Sequence, residues 1–428
     1  MYAFLVQFVD FLRTHQIHYF LLFFFFIWLR WFIVNTLALL YKPYTGKHTT
    51  TTSVLIPVVD EPVDVFRAVL QSIVSQKPDQ IIVVINGPRN IVLENICRQF
   101  DGVDCYWTKK AGKRNALDYG MKKVKGDVVL LVDSDTIWMP NMLSEIVKPF
   151  ADPSVGGVTT RQKITDPTAT LIARLCDWLE DVRSYGTMQA MSVRGKVGCL
   201  PGRTIAFRRS ILQEAMPAFM TERFLGMHKE VSDDRSLTNY TLKAGYKTVM
   251  QSTAVVYTEA PTKWKKFLRQ QLRWAEGSQY NNLRMTPWML RHAPLMFCIY
   301  WSDMLIPFFL WGIYLSYFIK AAILRMHTQS DMLFLANRSW LVVMLATLGG
   351  AYFSYAIRQL RVLSESPRHF LFMPLYIVLL TFVMAPIRML GFARLADDMG
   401  WGTRANSYQA SKRFKFKLRE RFTNVAAS

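Results

Sequence analysis

Apolar positions along this chain gather at its two ends and leave a differently patterned middle. From Ile17 to Tyr41 the sequence is almost wholly apolar, with Leu21 to Leu29 uninterrupted. That length suffices to cross about 30 Å of hydrocarbon at about 1.5 Å per helical residue, and it exceeds the apolar core of a cleaved signal peptide. Three further apolar stretches, Leu295 to Ile323, Trp340 to Ile357 and Phe370 to Ile387, follow near the other end with Trp and Tyr close to their edges. Between the two groups, residues 53 to about 260 lose the long apolar runs. They show short hydrophobic strands separated by polar and Gly-containing turns, the pattern of a water-soluble α/β domain.

The strands and helices of the middle can be read individually. Ser53 to Val59 reads as a buried strand, Val63 to Ser75 as a helix, and Ile81 to Ile85 as a second strand closed by Asn86-Gly87-Pro88. Asp127 to Val132 is a third strand and runs directly into Asp133-Ser134-Asp135-Thr136. Strands alternating with helices predict a mostly parallel sheet, whose ligands gather at the carboxyl ends of the strands. The acidic residues fall at those ends.

Charge then fixes an orientation. The chain has 428 residues, and a formal net charge of +21 with 51% hydrophobic residues points to a membrane, while a charged fraction of 19% and an aromatic fraction of 14% exclude a disordered or collagen-like chain. Lys42, Lys47 and His48 follow the first apolar stretch, so the positive-inside rule places the middle domain in the cytosol. A basic tail after Ala393 is expected inside as well, on anionic lipid. Three full crossings after the domain would leave that tail outside, so one carboxyl-terminal segment is expected to be re-entrant or interfacial. Because the charge flanks membrane segments rather than forming an aromatic-studded patch, nucleic acid is not an expected partner. The five cysteines show no metal-ligand spacing and no disulfide framework, which suits a reducing compartment.

Candidate chemistry lies at four places. Asp133 and Asp135, separated by one residue at a strand end, are suited to share a hard divalent cation, Mn2+ or Mg2+, which would neutralise a diphosphate leaving group. Lys113 and Arg114 open a helix after Ala111-Gly112 and are placed to meet phosphate oxygens; a solvated basic turn is the plainer reading. Asp233 and Asp234 open another helix. Asp233 could serve only as its cap, whereas Asp234 is expected to be a general base. Gln270-Gln271-Leu272-Arg273-Trp274 lies in an amphipathic basic stretch from Thr262 to Arg284, where Trp274 would stack on an acceptor sugar while Arg273 and Gln270 fix it and the diphosphate.

Taken in order, Asp133-Ser134-Asp135-Thr136, Asp233-Asp234-Arg235-Ser236-Leu237-Thr238-Asn239 and Gln270-Gln271-Leu272-Arg273-Trp274 resemble the motifs of the processive, membrane-embedded family 2 glycosyltransferases: hyaluronan, chitin and cellulose synthases and the nodulation chitin-oligosaccharide synthases. The similarity spans about residues 50 to 285. Trp401-Gly402-Thr403-Arg404 is similar to an element of the hyaluronan synthase branch, which implies that Trp401 and Arg404 close over the donor site. Gly198-Cys199-Leu200-Pro201-Gly202 resembles a loop lining the acceptor, which implicates Cys199 and Gly202. The family usually carries an Asp pair after the second strand, where this chain has Asn86; Asn86 and Asp60 are the candidate nucleotide contacts.

The resemblance implies a GT-A-like α/β domain inserted between transmembrane helices of a plasma-membrane, multi-pass protein. Its parts would be an amino-terminal segment with one span (1–48), a cytosolic catalytic domain (49–260), interfacial helices (261–292), transmembrane or re-entrant helices (293–392) and a basic tail (393–428). It also implies a UDP-sugar donor, a growing polysaccharide acceptor and the lipid bilayer as partners. A non-processive transferase acting on a polyprenyl phosphate is the alternative enzyme reading, and a transporter or receptor with a nucleotide-sensing domain is the alternative outside enzymes.

Overall fold

The computed structural model describes residues 16–324, 349–350 and 352–396. Its centre is one eight-stranded sheet in the order β3-β2-β1-β4-β7-β6-β10-β5. The strands are β1 (Thr52–Val58), β2 (Gln80–Asn86), β3 (Val103–Thr108), β4 (Val128–Val132), β5 (Thr136–Trp138), β6 (Val155–Ile164), β7 (Thr204–Arg208) and β10 (Lys247–Thr258), with β8 (Arg223–Phe224) and β9 (Met227–His228) forming a separate hairpin. β1 pairs in parallel with both β2 and β4, and β2 with β3, as the alternation of strands and helices predicts. The other half departs from that alternation. β7 runs antiparallel to both β4 and β6, while β5 pairs antiparallel with β10.

The sheet is covered on both faces, which is why β1, β2 and β4 read as continuous apolar runs rather than alternating ones. Val54, Ile56, Val83 and Val128 point to one side, where they meet Phe66, Leu70 and Ile73 of α1 (Val63–Val74). Leu55, Ile82, Val129 and Leu131 point to the other and meet Ala116 and Leu117 of α2 (Lys113–Met121). That second core continues into Met285, Met289, Met296 and Ile299, and also takes in Val34 and Ala38 from the amino-terminal apolar segment. One hydrophobic mass therefore joins the catalytic half to the membrane half.

Among the described residues three helical stretches, Leu21–Leu39, Pro294–Leu315 and His369–Ala393, are long and apolar enough to cross a membrane. Two of the three apolar stretches expected after the domain thus coincide with membrane-length helices; the third, Trp340 to Ile357, falls largely outside the described residues. Arg30 on the first stretch donates to Asp303 at 2.6 Å and to Ser302 at 2.8 Å on the second, a pairing that spares a charge in apolar surroundings.

Four more helices position the site: α3 (Leu171–Arg183), α4 (Arg209–Met220), α5 (Asp233–Lys243) and α6 (Trp264–His292). The expected amphipathic stretch is thus a 29-residue helix. Against it packs α7 (Ala385–Ala393) at Gly391, where an added Cβ would stand 2.8 Å from Ala275 Cβ and 3.1 Å from the backbone nitrogen of Glu276. Only a hydrogen fits there. Arg394 then pairs with Glu276 at 3.2 Å, and the buried Lys229 donates to the carbonyl of Leu395 at 3.0 Å.

Candidate active site

β4 delivers Asp133 and Asp135 to the carboxyl end of the sheet because its five residues are fully buried and the chain must then turn out toward water. The turn is held from below. Ser134 Oγ donates to the buried Glu61 at 2.7 Å, the Asp133 amide donates to the Arg203 carbonyl at 2.9 Å, and both aspartates are left half-buried.

The loop that supplies Arg203 also reaches Asp234. The Gly202 amide donates to Asp234 Oδ2 at 3.1 Å and the Arg235 amide to Oδ1 at 2.8 Å. A Cβ at Gly202 would sit 3.3 Å from that of Asp234. Adjacent residues of one loop therefore hold the end of the Asp-Ser-Asp turn and the proposed base. Cys199 belongs to the same loop; burial and the nearby Asp234 carboxylate push its thiol up to about 12, so it is not a ready thiolate.

α5 starts from a tight entry. Ser232, just before Asp233, has φ +65°, a conformation costly for a residue with a side chain. α6 presses directly on it: a Cβ at Gly277 would stand 2.6 Å from Ser232 Cβ. That close approach brings the Gln270–Trp274 helix against the start of the Asp233–Asp234 helix.

Two cations face these carboxylates. Lys113 Nζ donates to Asp133 Oδ1 at 2.6 Å. Burial alone would discharge its ammonium, but the fields of Asp133 and Asp233 and the hydrogen bond to Asp133 outweigh it, and its pKa is raised. Arg273 shows the opposite balance. Burial lowers its pKa, with Asp133, Asp233 and Asp234 opposing, and its Nε is buried with no hydrogen-bond partner among the described residues. A buried guanidinium edge of this kind is suited to an anionic ligand.

Two expected phosphate or base contacts are placed elsewhere. Arg114, 2% exposed, is enclosed beneath the site: Nε donates to Asp233 at 2.8 Å, Nη1 to Glu222 at 3.0 Å, and its guanidinium lies 4.2 Å from the centre of the Phe219 ring. On the first helical turn, position alone does not tell inward from outward, and the helix turns Arg114 inward while Lys113 faces the aspartates. Asn86 is fully buried, donating to the Val58 carbonyl at 3.0 Å and accepting from the Gly112 amide at 3.0 Å. It joins two strand ends to the start of α2. Asp60 stands exposed at the end of β1. Asp233 is buried beside Arg114, and burial raises its pKa against the pull of Arg114 and Lys113.

Trp274 is 39% exposed and, with Gln270 and Gln271, lines a small cleft completed by Cys176, Glu180, Arg203 and Glu259. Glu180 accepts from Arg203 at 2.7 Å and pairs with Arg183. Trp401 and Arg404 lie outside the described residues. Glu180, Arg203, Glu222 and Glu230 were not legible as site residues, since none stands in a recognisable motif. Glu230 is near Gly112 and Arg114, with burial raising its pKa. All five cysteines are unpaired. Asp177, Asp181 and His369 also cluster within 4.8 Å of one another, but Lys163 donates to both oxygens of Asp181, at 2.6 and 2.7 Å, and so already supplies a positive charge there.

A mostly parallel sheet with acidic turns at its carboxyl end, flanked by cations and an aromatic platform, defines a GT-A-like catalytic domain. Residues 49–277 match the family model Glycosyltransferase like family 2, and the chain belongs to that family of glycosyltransferases. It is 27% identical over 382 residues to a hyaluronan synthase of Streptococcus pyogenes, covering 86% of this chain and 87% of the relative. It is 31% identical over 244 residues to an N-acetylglucosaminyltransferase of Mesorhizobium japonicum, covering 55% of this chain and 58% of that protein. A mannosyltransferase from Pyrobaculum calidifontis, solved in complex with GDP-Man and Mn2+, shares the fold with a TM-score of 0.59 at 16% identity, over 90% of this chain and 99% of that one.

Proposed function

We propose that this chain is a processive, inverting β-glycosyltransferase that polymerises sugars from UDP-activated donors at the cytosolic face of the plasma membrane. The polymer would leave through a passage formed by its own helices, as a hyaluronan synthase-like enzyme. The observation that carries the reading is the convergence of Asp133, Asp234, Lys113 and Arg273 at one sheet end, beside the half-exposed Trp274. Similarity to the streptococcal hyaluronan synthase extends beyond the catalytic domain into the membrane helices, which favours a polymer-exporting enzyme over a soluble transferase.

In this reading Asp234 removes the proton from the acceptor hydroxyl as that oxygen attacks the anomeric carbon. The bond from that carbon to the diphosphate breaks, and an α-linked donor gives a β linkage. Lys113 and Arg273 offset the charge that develops on the leaving group. Trp274 offers its face to the acceptor sugar, with Gln270 beside it. Asp133 and Asp135 fit a divalent cation, Mn2+ or Mg2+: both are half-buried carboxylates one residue apart at a strand end, and the ion would share Asp133 with the Lys113 ammonium that stands against its Oδ1. When bound, such an ion supplies further positive charge to the diphosphate. The catalytic domain would occupy residues 49–260 and the interfacial helix the following segment.

The purified protein, given each UDP-sugar singly and in pairs with Mn2+, is expected to release nucleoside diphosphate and to build a polymer that linkage-specific β-glycosidases digest. A product consisting of a single sugar on a lipid phosphate would overturn the processive reading. Absence of nucleoside diphosphate release from every donor tried would overturn the transferase reading.

A further inference from the structure

Glu222 follows the end of α4 in a segment without a motif, and its side chain is fully enclosed. Its Oε2 accepts from Arg114 Nη1 at 3.0 Å. Its Oε1 pairs with Arg284 and lies 3.2 Å from Ser236 Oγ, whose hydroxyl also meets Tyr280 Oη at 3.1 Å. Each of these partners stands on a helix that carries part of the site. Arg114 follows Lys113 on α2, Ser236 stands two residues after Asp234 on α5, and Arg284 lies ten residues after Trp274 on α6.

We propose that Glu222 is a positioning residue that fixes α2, α5 and α6 relative to one another, and thereby sets the distances among Lys113, Asp234 and the Arg273–Trp274 pair. The charges balance as two guanidinium groups, the buried Arg114 and the partly exposed Arg284, against two buried carboxylates, Glu222 and Asp233. The Phe219 and Tyr240 rings lie against the guanidinium groups, at 4.2 and 5.5 Å from the ring centres. Removing Glu222 takes one carboxylate from Arg114, which keeps Asp233, and leaves the mostly enclosed Arg284 without its ion-pair partner, a charge that the three helices relieve by shifting. A displacement of about 1 Å among catalytic groups is enough to cost about 100-fold in rate. Donor binding is affected much less, because the Asp133–Asp135 turn is held by β4 and Arg203 and because Lys113 and Arg273 keep their charges on long side chains that can follow the diphosphate. The kinetic part of this inference rests on the transferase reading; the coupling among the three helices does not.

The test is a double-mutant cycle in the full-length protein in lipid nanodiscs with E222Q, R284M and E222Q/R284M. E222Q is expected to lower kcat at least tenfold while leaving KM for the donor within about threefold. The double variant should regain at least threefold of that kcat, because removing Arg284 also removes the unpartnered charge. In thermal melts without substrate, the double variant should lose less Tm than the two single variants together. A kcat within twofold of wild type for E222Q, or strict additivity in both kcat and Tm, overturns the assignment. Should E222Q fail to insert or fold, E222D keeps the charge on a stem one methylene shorter; it should retain donor KM and lose kcat, and a wild-type kcat overturns the assignment equally. A wild-type protein that releases no nucleoside diphosphate would sink the transferase reading, and the melt cycle would still decide whether Glu222 couples the helices.

Discussion

Replacing Asp234 with Asn tests the centre of the chemistry. The carboxylate accepts from the Arg235 amide at 2.8 Å, from the Gly202 amide at 3.1 Å and, more loosely, from Ser232 Oγ at 3.4 Å. An Asn amide has one acceptor atom to offer. Turned toward Arg235, it presents its NH2 to the Gly202 donor, and that hydrogen bond is lost at a cost of about 1–3 kcal/mol. The change is local, since Asp234 is half-buried and has no ion-pair partner within 4 Å among the described residues. Loss of proton abstraction is larger. A positioned general base contributes about 10²- to 10⁴-fold, which corresponds to about 2.7–5.4 kcal/mol at about 1.36 kcal/mol per tenfold. D234N is therefore expected to lose at least 100-fold in kcat, while nucleoside diphosphate affinity stays within about threefold because Asp133, Asp135, Lys113 and Arg273 are untouched. The measurements are rates of nucleoside diphosphate release at saturating donor and calorimetric titration of the nucleotide. A kcat within tenfold of wild type would assign the proton to another group.

Three further outcomes follow from the geometry. G391A places a methyl against the backbone of α6 and should cost about 1–3 kcal/mol as overpacking, seen as a lower Tm together with slower transfer; an unchanged Tm would mean that α7 shifts freely. R273K keeps a charge but removes the planar fork whose Nε stands buried and unpartnered among the described residues, so donor KM should rise about tenfold by steady-state kinetics, and an unaltered KM would remove Arg273 from the diphosphate site. Burial pushes the Glu180 carboxyl upward, but Arg183 and Arg203 outweigh it and its pKa is lowered below 4.5. Its contribution to stability is therefore present above pH 4.5 and lost as pH falls through the folded value. E180Q should melt well below wild type at pH 7, and the gap should narrow below pH 4.5; a gap independent of pH would contradict that ion-pair account.

The parts of this molecule that were legible in sequence are those where local pattern and position coincide. Buried strands such as Val128–Val132 are continuous apolar runs, and an acidic turn directly after one must emerge at the carboxyl end of the sheet. The alternation of strand and helix likewise predicts the parallel pairing of β1 with β2 and β4, whereas the strand Val103–Thr108, whose apolar positions are interrupted by Asp104, gives no such signal. The remaining sheet was not legible, because the antiparallel entry of β7 between β4 and β6 depends on contacts between residues 46 to 80 positions apart. Side-chain direction is a similar problem. Lys113 and Arg114 are neighbours of identical charge, yet one faces Asp133 and the other is enclosed against Phe219. Asn86 falls in the turn where a base contact was expected, but the start of α2 closes over it. Glu222 carries no local signal, since its three partners stand 108, 14 and 62 positions away in the chain.

The seam between α6 and α7 bears on how the molecule can be divided. Gly391 meets Ala275 at a distance that admits no side chain, Arg394 neutralises Glu276, and Lys229 holds the Leu395 carbonyl. A fragment ending before the second membrane stretch would strip that covering from the very turn of helix that bears Trp274, baring Ala275 and leaving Glu276 and Lys229 without these counterparts. Lipid-embedded and water-facing portions accordingly constitute a single folding unit, and a catalytic fragment released from its anchor would have lost part of its own interior.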